Sequence, residues 1–184
     1  MKNLTSLSGL SILVVLTTII CELTQSSVLR RDENGDLIVQ TCKQTPYYDL
    51  CVSSLQSNPQ SSNTDLKGLA LIMVGNVQAN ATETLNYIEG LIKQTTDQQL
   101  EQALAFCAEL YIQVVKFSLP QAADAVSDGR FGFANYGISD AVNEAVTCEK
   151  KFSGSIKSPL TDRNDSVHKF SDIAAAILDQ LLKG

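Results

Sequence analysis

The chain has one histidine in 184 residues, which excludes the histidine-rich metal centres and leaves one imidazole for any nucleophilic triad. No phosphate-cradling glycine loop and no G-x-S-x-G elbow occurs. Basic residues number 14 against 20 acidic ones, for a net charge of −6. No basic stripe could neutralise a phosphate backbone, so nucleic acid is not an expected partner. Strand-like alternation of useful length is also missing, and no stretch after the first 26 residues reads as long and apolar enough to span a bilayer.

The chain opens on MKNLTSLSGLSILVVLTTIICELTQSS. Lys2 gives a positive start, Ile12 to Cys21 is a short apolar run, and Thr24 and Ser26 sit where a signal peptidase would cut. The pattern predicts a secretory signal peptide over residues 1–26 and an exported chain. Residues 27–36 read as a flexible polar arm, with Asn34-Gly35 as a turn signal. Residues 37–183 read as one domain, large enough for a real core.

Four of the five cysteines lie beyond the leader: Cys42, Cys51, Cys107 and Cys148. Four cysteines allow three pairings. Cys42–Cys51 closes a tight local loop. Phe106, Cys107, Leu110, Tyr111, Val114, Val115 and Phe117 recur at helical spacing, and so do Ile138, Ala141, Val142, Ala145, Cys148 and Phe152. Two helices packed on those stripes bring Cys107 and Cys148 together, so the predicted pairs are Cys42–Cys51 and Cys107–Cys148. In the chain-entropy model the short loop contributes up to about 3 kcal/mol and the long one up to about 4 kcal/mol.

Residues 37–56 suggest two short helices divided at Thr45-Pro46, a hairpin stapled by its disulfide. Gln56 to Asn63 reads as a linker. Leu66 to Ile92 carries the clearest helical stripe, with Thr64 or Asp65 as cap. Met73 lies within it as a core residue. Asp97 caps the next helix, which Leu119-Pro120 kinks or restarts and Asp128-Gly129 ends. Arg130 to Gly137 reads as an aromatic turn whose rings either plug the bundle end or meet a protein partner. A last helix carries Val167, Phe170, Ile173, Ala174, Ile177, Leu178 and Leu181 on one face. The sum predicts an all-α, up-and-down four-helix bundle over residues 64–183 with an N-terminal helical hairpin.

Chemistry-bearing groups are scattered. His168 has Asp172 one helical turn away, a surface pairing. Glu101, Glu109 and Glu144 form no motif. The expected protein is a binder without catalytic residues, cofactor or metal. Two N-glycosylation sequons occur, Asn80-Ala81-Thr82 in a helix and Asn164-Asp165-Ser166 in a predicted loop.

Thr41-Cys42-Lys43 with Cys51, Leu69 to Val74, Ser118-Leu119-Pro120, Thr147-Cys148-Glu149, Lys157-Ser158-Pro159, and Val167-His168 with Ser171-Asp172 occur in order. In these segments the chain resembles the plant invertase and pectin methylesterase inhibitor family, from about Val39 to Leu182. The resemblance implies stoichiometric inhibition of a carbohydrate-active enzyme in the cell wall, apoplast or vacuole, and the exported chain is expected to be a monomer. An acid invertase (β-fructofuranosidase) is the leading target, blocked at its active-site cleft. Pectin methylesterase, met through a bundle face, is the alternative. Invertase-inhibiting members carry Pro-Lys-Phe before the second clamp helix. That place here holds Phe131-Gly132-Phe133, with Arg130 as the nearby cation. Arg130, Phe131 and Phe133 are therefore the predicted target-binding residues.

Overall fold

The computed structural model describes residues 37–152 and 157–184. The predicted leader and arm lie outside the described residues. Helix α1 covers residues 37–42 and is followed by α2 (Tyr48–Gln56) and a 3₁₀ turn (Pro59–Asn63). The bundle is built from α3 (Leu66–Gln94), α4 (Gln98–Gln113), α5 (Leu119–Ser127), α6 (Phe131–Lys151) and α7 (Thr161–Lys183). A π-helical segment, Val114–Ser118, joins α4 to α5. Among the described residues no strand occurs.

Helix boundaries follow local chemistry. Asp65 caps α3 by accepting from the Gly68 amide at 2.8 Å. Asp97 caps α4 by accepting from the amides of Gln99 and Leu100. These carboxylates satisfy amides left over in each first turn and face the positive end of the helix dipole. The stretch predicted to be a linker contains the 3₁₀ turn, where Pro59 holds the first position and Asn58 accepts from the Gln60 amide. The hairpin turn contains one strained residue: Tyr47, just after Pro46, has a φ of 56°.

Pro120 does not break its helix. In an α-helical register its ring would strike the Lys116 carbonyl, and its nitrogen has no hydrogen to donate. The π segment widens the turn, so the Leu119 amide bonds to the Val114 carbonyl, five residues back. In that register the Val115 carbonyl would face the proline nitrogen. It takes a hydrogen bond from Gln78 Nε2 of α3 instead, at 3.0 Å. The helix thus continues unbroken from Gln98 to Ser127, 30 residues. By length and composition it could cross a membrane, which corrects the expectation that no stretch beyond the leader could. Its apolar stripe is spent on the bundle, with Leu104, Cys107, Tyr111, Leu119 and Val126 all buried.

The four bundle rods form a ring. The α3 rod packs on α4–α5 and on α7, and α6 packs on the same two neighbours. Short connections between successive rods make each antiparallel to the next. Inside lie Leu69, Met73, Val77 and Ile88 of α3, Ile138 and Ala145 of α6, and Val167, Ile173, Ile177 and Leu178 of α7. Cys107 and Cys148 form a disulfide across α4 and α6, with Cα atoms 4.9 Å apart. Cys42 and Cys51 form the second, in the hairpin. The hairpin's Ile38, Cys42, Cys51 and Leu55 join the same buried cluster, and Gln180 of α7 donates to the Thr41 carbonyl at 3.1 Å.

Candidate functional site

The α5–α6 corner is tighter than the sequence pattern implies. Gly129 takes a φ of 75°, in the left-handed region that a side chain disfavours. Its amide bonds to the Val126 carbonyl and the Arg130 amide reaches the Ala125 carbonyl at 2.8 Å. This pair of backbone bonds reverses the chain within three residues. Residues 131–137, read as a turn, are already the first turns of α6. Two glycines and three aromatics in eight residues resemble a loop by composition. The turn itself needs only Gly129, and Gly137 has another use. A Cβ on Gly137 would sit 2.5 Å from the Ser118 carbonyl oxygen, so the bare Cα lets α6 lie against the π segment.

The corner divides the three predicted contact residues. Phe131 packs partly buried against the bundle core and anchors the corner from within. Phe133 points outward and is 49% exposed. The Arg130 guanidinium lies 5.2 Å from the Phe133 ring centroid and 2.9 Å from Asp128 Oδ2. Both partners of that ion pair are more than half exposed, so it holds Arg130 only weakly. Tyr136 is 75% exposed and meets Phe133 edge to face, with centroids 6.5 Å apart.

Phe117 completes this surface. Periodicity places it in the buried stripe, but the extra residue in the π turn rotates it out, leaving it 51% exposed. Phe117, Phe133 and Tyr136 border a groove of about 270 Å³ along α5 and α6, with Ser118, Gln121 and Asp140 on its walls. Ser118 Oγ donates to Asp140 Oδ2 at 3.0 Å. The site is an aromatic ridge with one cation at its tip.

The rest of the molecule offers binding and support rather than reacting groups. His168 meets Asp172 at 3.6 Å on the α7 surface. Among the described residues, no cluster of three or more histidine, cysteine or acidic side chains could hold a metal. Asn164, placed in a loop by the sequence pattern, lies in the first turn of α7 and is 4% exposed. It ties the bundle together. Tyr111 OH donates to its Oδ1 at 2.8 Å, and its Nδ2 donates to Glu149 Oε2 at 2.7 Å. Ser158 and Thr161 also donate to Glu149. Burial, and secondarily the Glu149 charge, push the Tyr111 hydroxyl well above the ordinary phenol range, while a Thr84 hydrogen bond opposes them. Periodicity misses this network because it counts apolar residues. The one available signal is the adjacency of Glu149 to Cys148.

A helical scaffold pinned by two disulfides, with a side-chain ridge exposed at one corner, is of the class suited to docking against another protein. Comparison with known proteins makes that specific. Residues 36–177 match the family model described as plant invertase/pectin methylesterase inhibitor, and the chain belongs to that family, which consists of enzyme inhibitors rather than enzymes. It is 41% identical to cell wall / vacuolar inhibitor of fructosidase 1 of Arabidopsis thaliana over 143 residues, 78% of this chain and 68% of that one. It is 31% identical to inhibitor of fructosidase 2 of the same plant, over 94% of this chain and 99% of the relative. A pectinesterase inhibitor of Actinidia deliciosa is 33% identical over 77% of this chain and 76% of its own. A solved pectin methylesterase inhibitor from Arabidopsis, in a mutant form, shares the fold with a TM-score of 0.64 at 24% identity, covering 75% of this chain and 92% of that one.

Proposed function

We propose that the protein is an exported, monomeric inhibitor of an acid invertase, which it blocks stoichiometrically by lodging the Arg130–Phe133 corner in the substrate cleft. The observation that carries this reading is the outward Phe133 ring beside the weakly held Arg130, on a corner fixed by backbone bonds. Phe133 supplies apolar burial, and Arg130 exchanges Asp128 for a carboxylate in the cleft. The N-terminal end of α6 adds its dipole to the same positive tip. Phe131 takes the supporting role of holding the tip on the core. The fructosidase-inhibitor relatives support the target class, and their names, with the leader-like N-terminus, support a destination in the wall or vacuole.

A second reading is favoured by one feature. Gly132 presents no side chain at the tip, while Phe117 and Tyr136 extend the exposed surface along α5 and α6. That face suits a broad contact of the kind needed against pectin methylesterase. Titrating the purified protein against both enzymes at acidic pH separates the two. For invertase, Phe133→Ala weakens inhibition by about thirty-fold, the effect of a hot spot worth about 2 kcal/mol. Unchanged inhibition in both Phe133→Ala and Arg130→Ala refutes the corner as the contact.

A further inference from the structure

The two sequons are chemically unequal once folded. Asn164 Nδ2 has two hydrogens and two acceptors, Glu149 Oε2 at 2.7 Å and Cys148 Sγ at 3.5 Å. Its Oδ1 accepts from Tyr111, and the whole residue is covered. A sugar on that nitrogen would displace a buried bond and have no room. Asn80 is half-buried on α3. Its Nδ2 donates once, to the Asn76 carbonyl at 2.9 Å, and its Oδ1 accepts from Ser166 at 2.8 Å. One N–H is unspent. A groove of about 350 Å³ adjoins it, lined by Thr84 and Tyr87 of α3 and by Pro159, Asp162, Arg163 and Ser166. That volume is at the lower end for a small-ligand site.

We propose that Asn80 is the glycosylated position of this protein, and that the first N-acetylhexosamine of its glycan seats in the Tyr87–Arg163 groove. The proposal rests on the export reading above. During export a lipid-pyrophosphate-linked oligosaccharide serves as donor. Nδ2 forms a bond to the anomeric carbon as the bond from that carbon to the pyrophosphate oxygen breaks. The lipid pyrophosphate leaves with the electron pair, and the displaced amide proton passes to a base of the transferase. The product keeps one N–H for Asn76 and the carbonyl for Ser166, so the native bonds of Asn80 survive. Asn80, Thr84 and Tyr87 share one helix face, which runs the groove outward from the attachment point. The Tyr87 ring, 38% exposed, offers a platform for the apolar face of the sugar. The Arg163 guanidinium, 4.2 Å from that ring centroid, and the Asp162 carboxylate border it with a donor and an acceptor for hydroxyl and acetamido groups.

The test expresses the full chain in a secreting eukaryotic host, once with its own N-terminus and once behind a borrowed leader. Folded protein is deglycosylated with peptide N-glycosidase in ¹⁸O-water and mapped by peptide mass. With the borrowed leader Asn80 is converted to labelled Asp and Asn164 is not. Thr82→Ala, which leaves the Asn80 amide in place, loses the glycan mass. Under native conditions Tyr87→Ala releases its glycan several-fold faster than the parent. An unmodified Asn80 behind the borrowed leader, or a glycan on Asn164 in folded protein, overturns the site. Equal release rates overturn the seat. Absence of export with the native N-terminus alone counts against the export reading and leaves the borrowed-leader result to decide the site.

Discussion

Replacing Asn164 with alanine removes the one carboxamide that joins α4, α6 and α7. Tyr111 OH loses its 2.8 Å acceptor while staying 1% exposed. Glu149 loses its 2.7 Å donor but keeps Ser158 and Thr161. An orphaned buried hydroxyl costs about 1–3 kcal/mol, and a bond to a charged acceptor contributes about 1.5–3 kcal/mol. Since Glu149 keeps two donors, the sum is expected at about 3–5 kcal/mol, a large share of the stability of a domain this size. With a urea slope of about 2 kcal/mol/M, the midpoint falls by about 1.5–2.5 M at unchanged slope. Thr161→Ala, at an exposed end of the same network, lowers stability by about 1 kcal/mol. Pairing Asn164→Ala with Tyr111→Phe gives a coupling of at least about 1 kcal/mol, because the phenylalanine no longer needs the acceptor. Disulfide-intact protein unfolded in urea and followed by circular dichroism measures all four. A loss under about 1.5 kcal/mol for Asn164→Ala, or strict additivity with Tyr111→Phe, refutes the network as the bond between the rods.

Three other expectations follow from the same geometry. Cys107→Ser with Cys148→Ser opens the interhelical disulfide and lowers stability by up to about 4 kcal/mol, read as a fall in melting temperature. Gly137→Ala drives a Cβ to 2.5 Å from the Ser118 carbonyl and destabilises by about 1–3 kcal/mol. Gly75→Ala, where a Cβ meets nothing within 4 Å, stabilises by about 0.5–1 kcal/mol, so the two substitutions move the denaturation midpoint in opposite directions. Desolvation and then the Asp140 charge hold the Glu144 carboxyl above the ordinary glutamate range. The folded state therefore binds that proton more tightly than the unfolded one. Stability falls as pH rises from the ordinary glutamate value through the raised one, and Glu144→Gln flattens that part of a melting-temperature profile.

Much of the scaffold is legible in the residue order. The apolar stripes mark all four rods, Asp65 and Asp97 mark two starts, and the stripes of α4 and α6 carry their cysteines to the same face. Three features resist such reading. Asn164 satisfies a sequon and looks like surface, because nothing local reveals that Tyr111, 53 residues away, needs its carbonyl. Pro120 announces an interruption, but its form depends on Gln78 of α3 reaching a carbonyl 37 residues away. At the α5–α6 corner, composition points to a loop where backbone geometry makes a helix start. Phe117 escapes notice as a neighbour of Phe133 and Tyr136 for a related reason: its proximity to them exists only after the π turn and Gly137 bring two helices together.

The hinge at Gly129 separates shape from vocabulary. Main-chain bonds make the reversal and the inward Phe131 seats it on the core, so the outward side chains at 130, 133 and 136 carry little architectural duty. They can be exchanged without rewriting the rods beneath. On the proposed mode of binding, one frame would be readdressed to a different enzyme by editing a few letters at its tip.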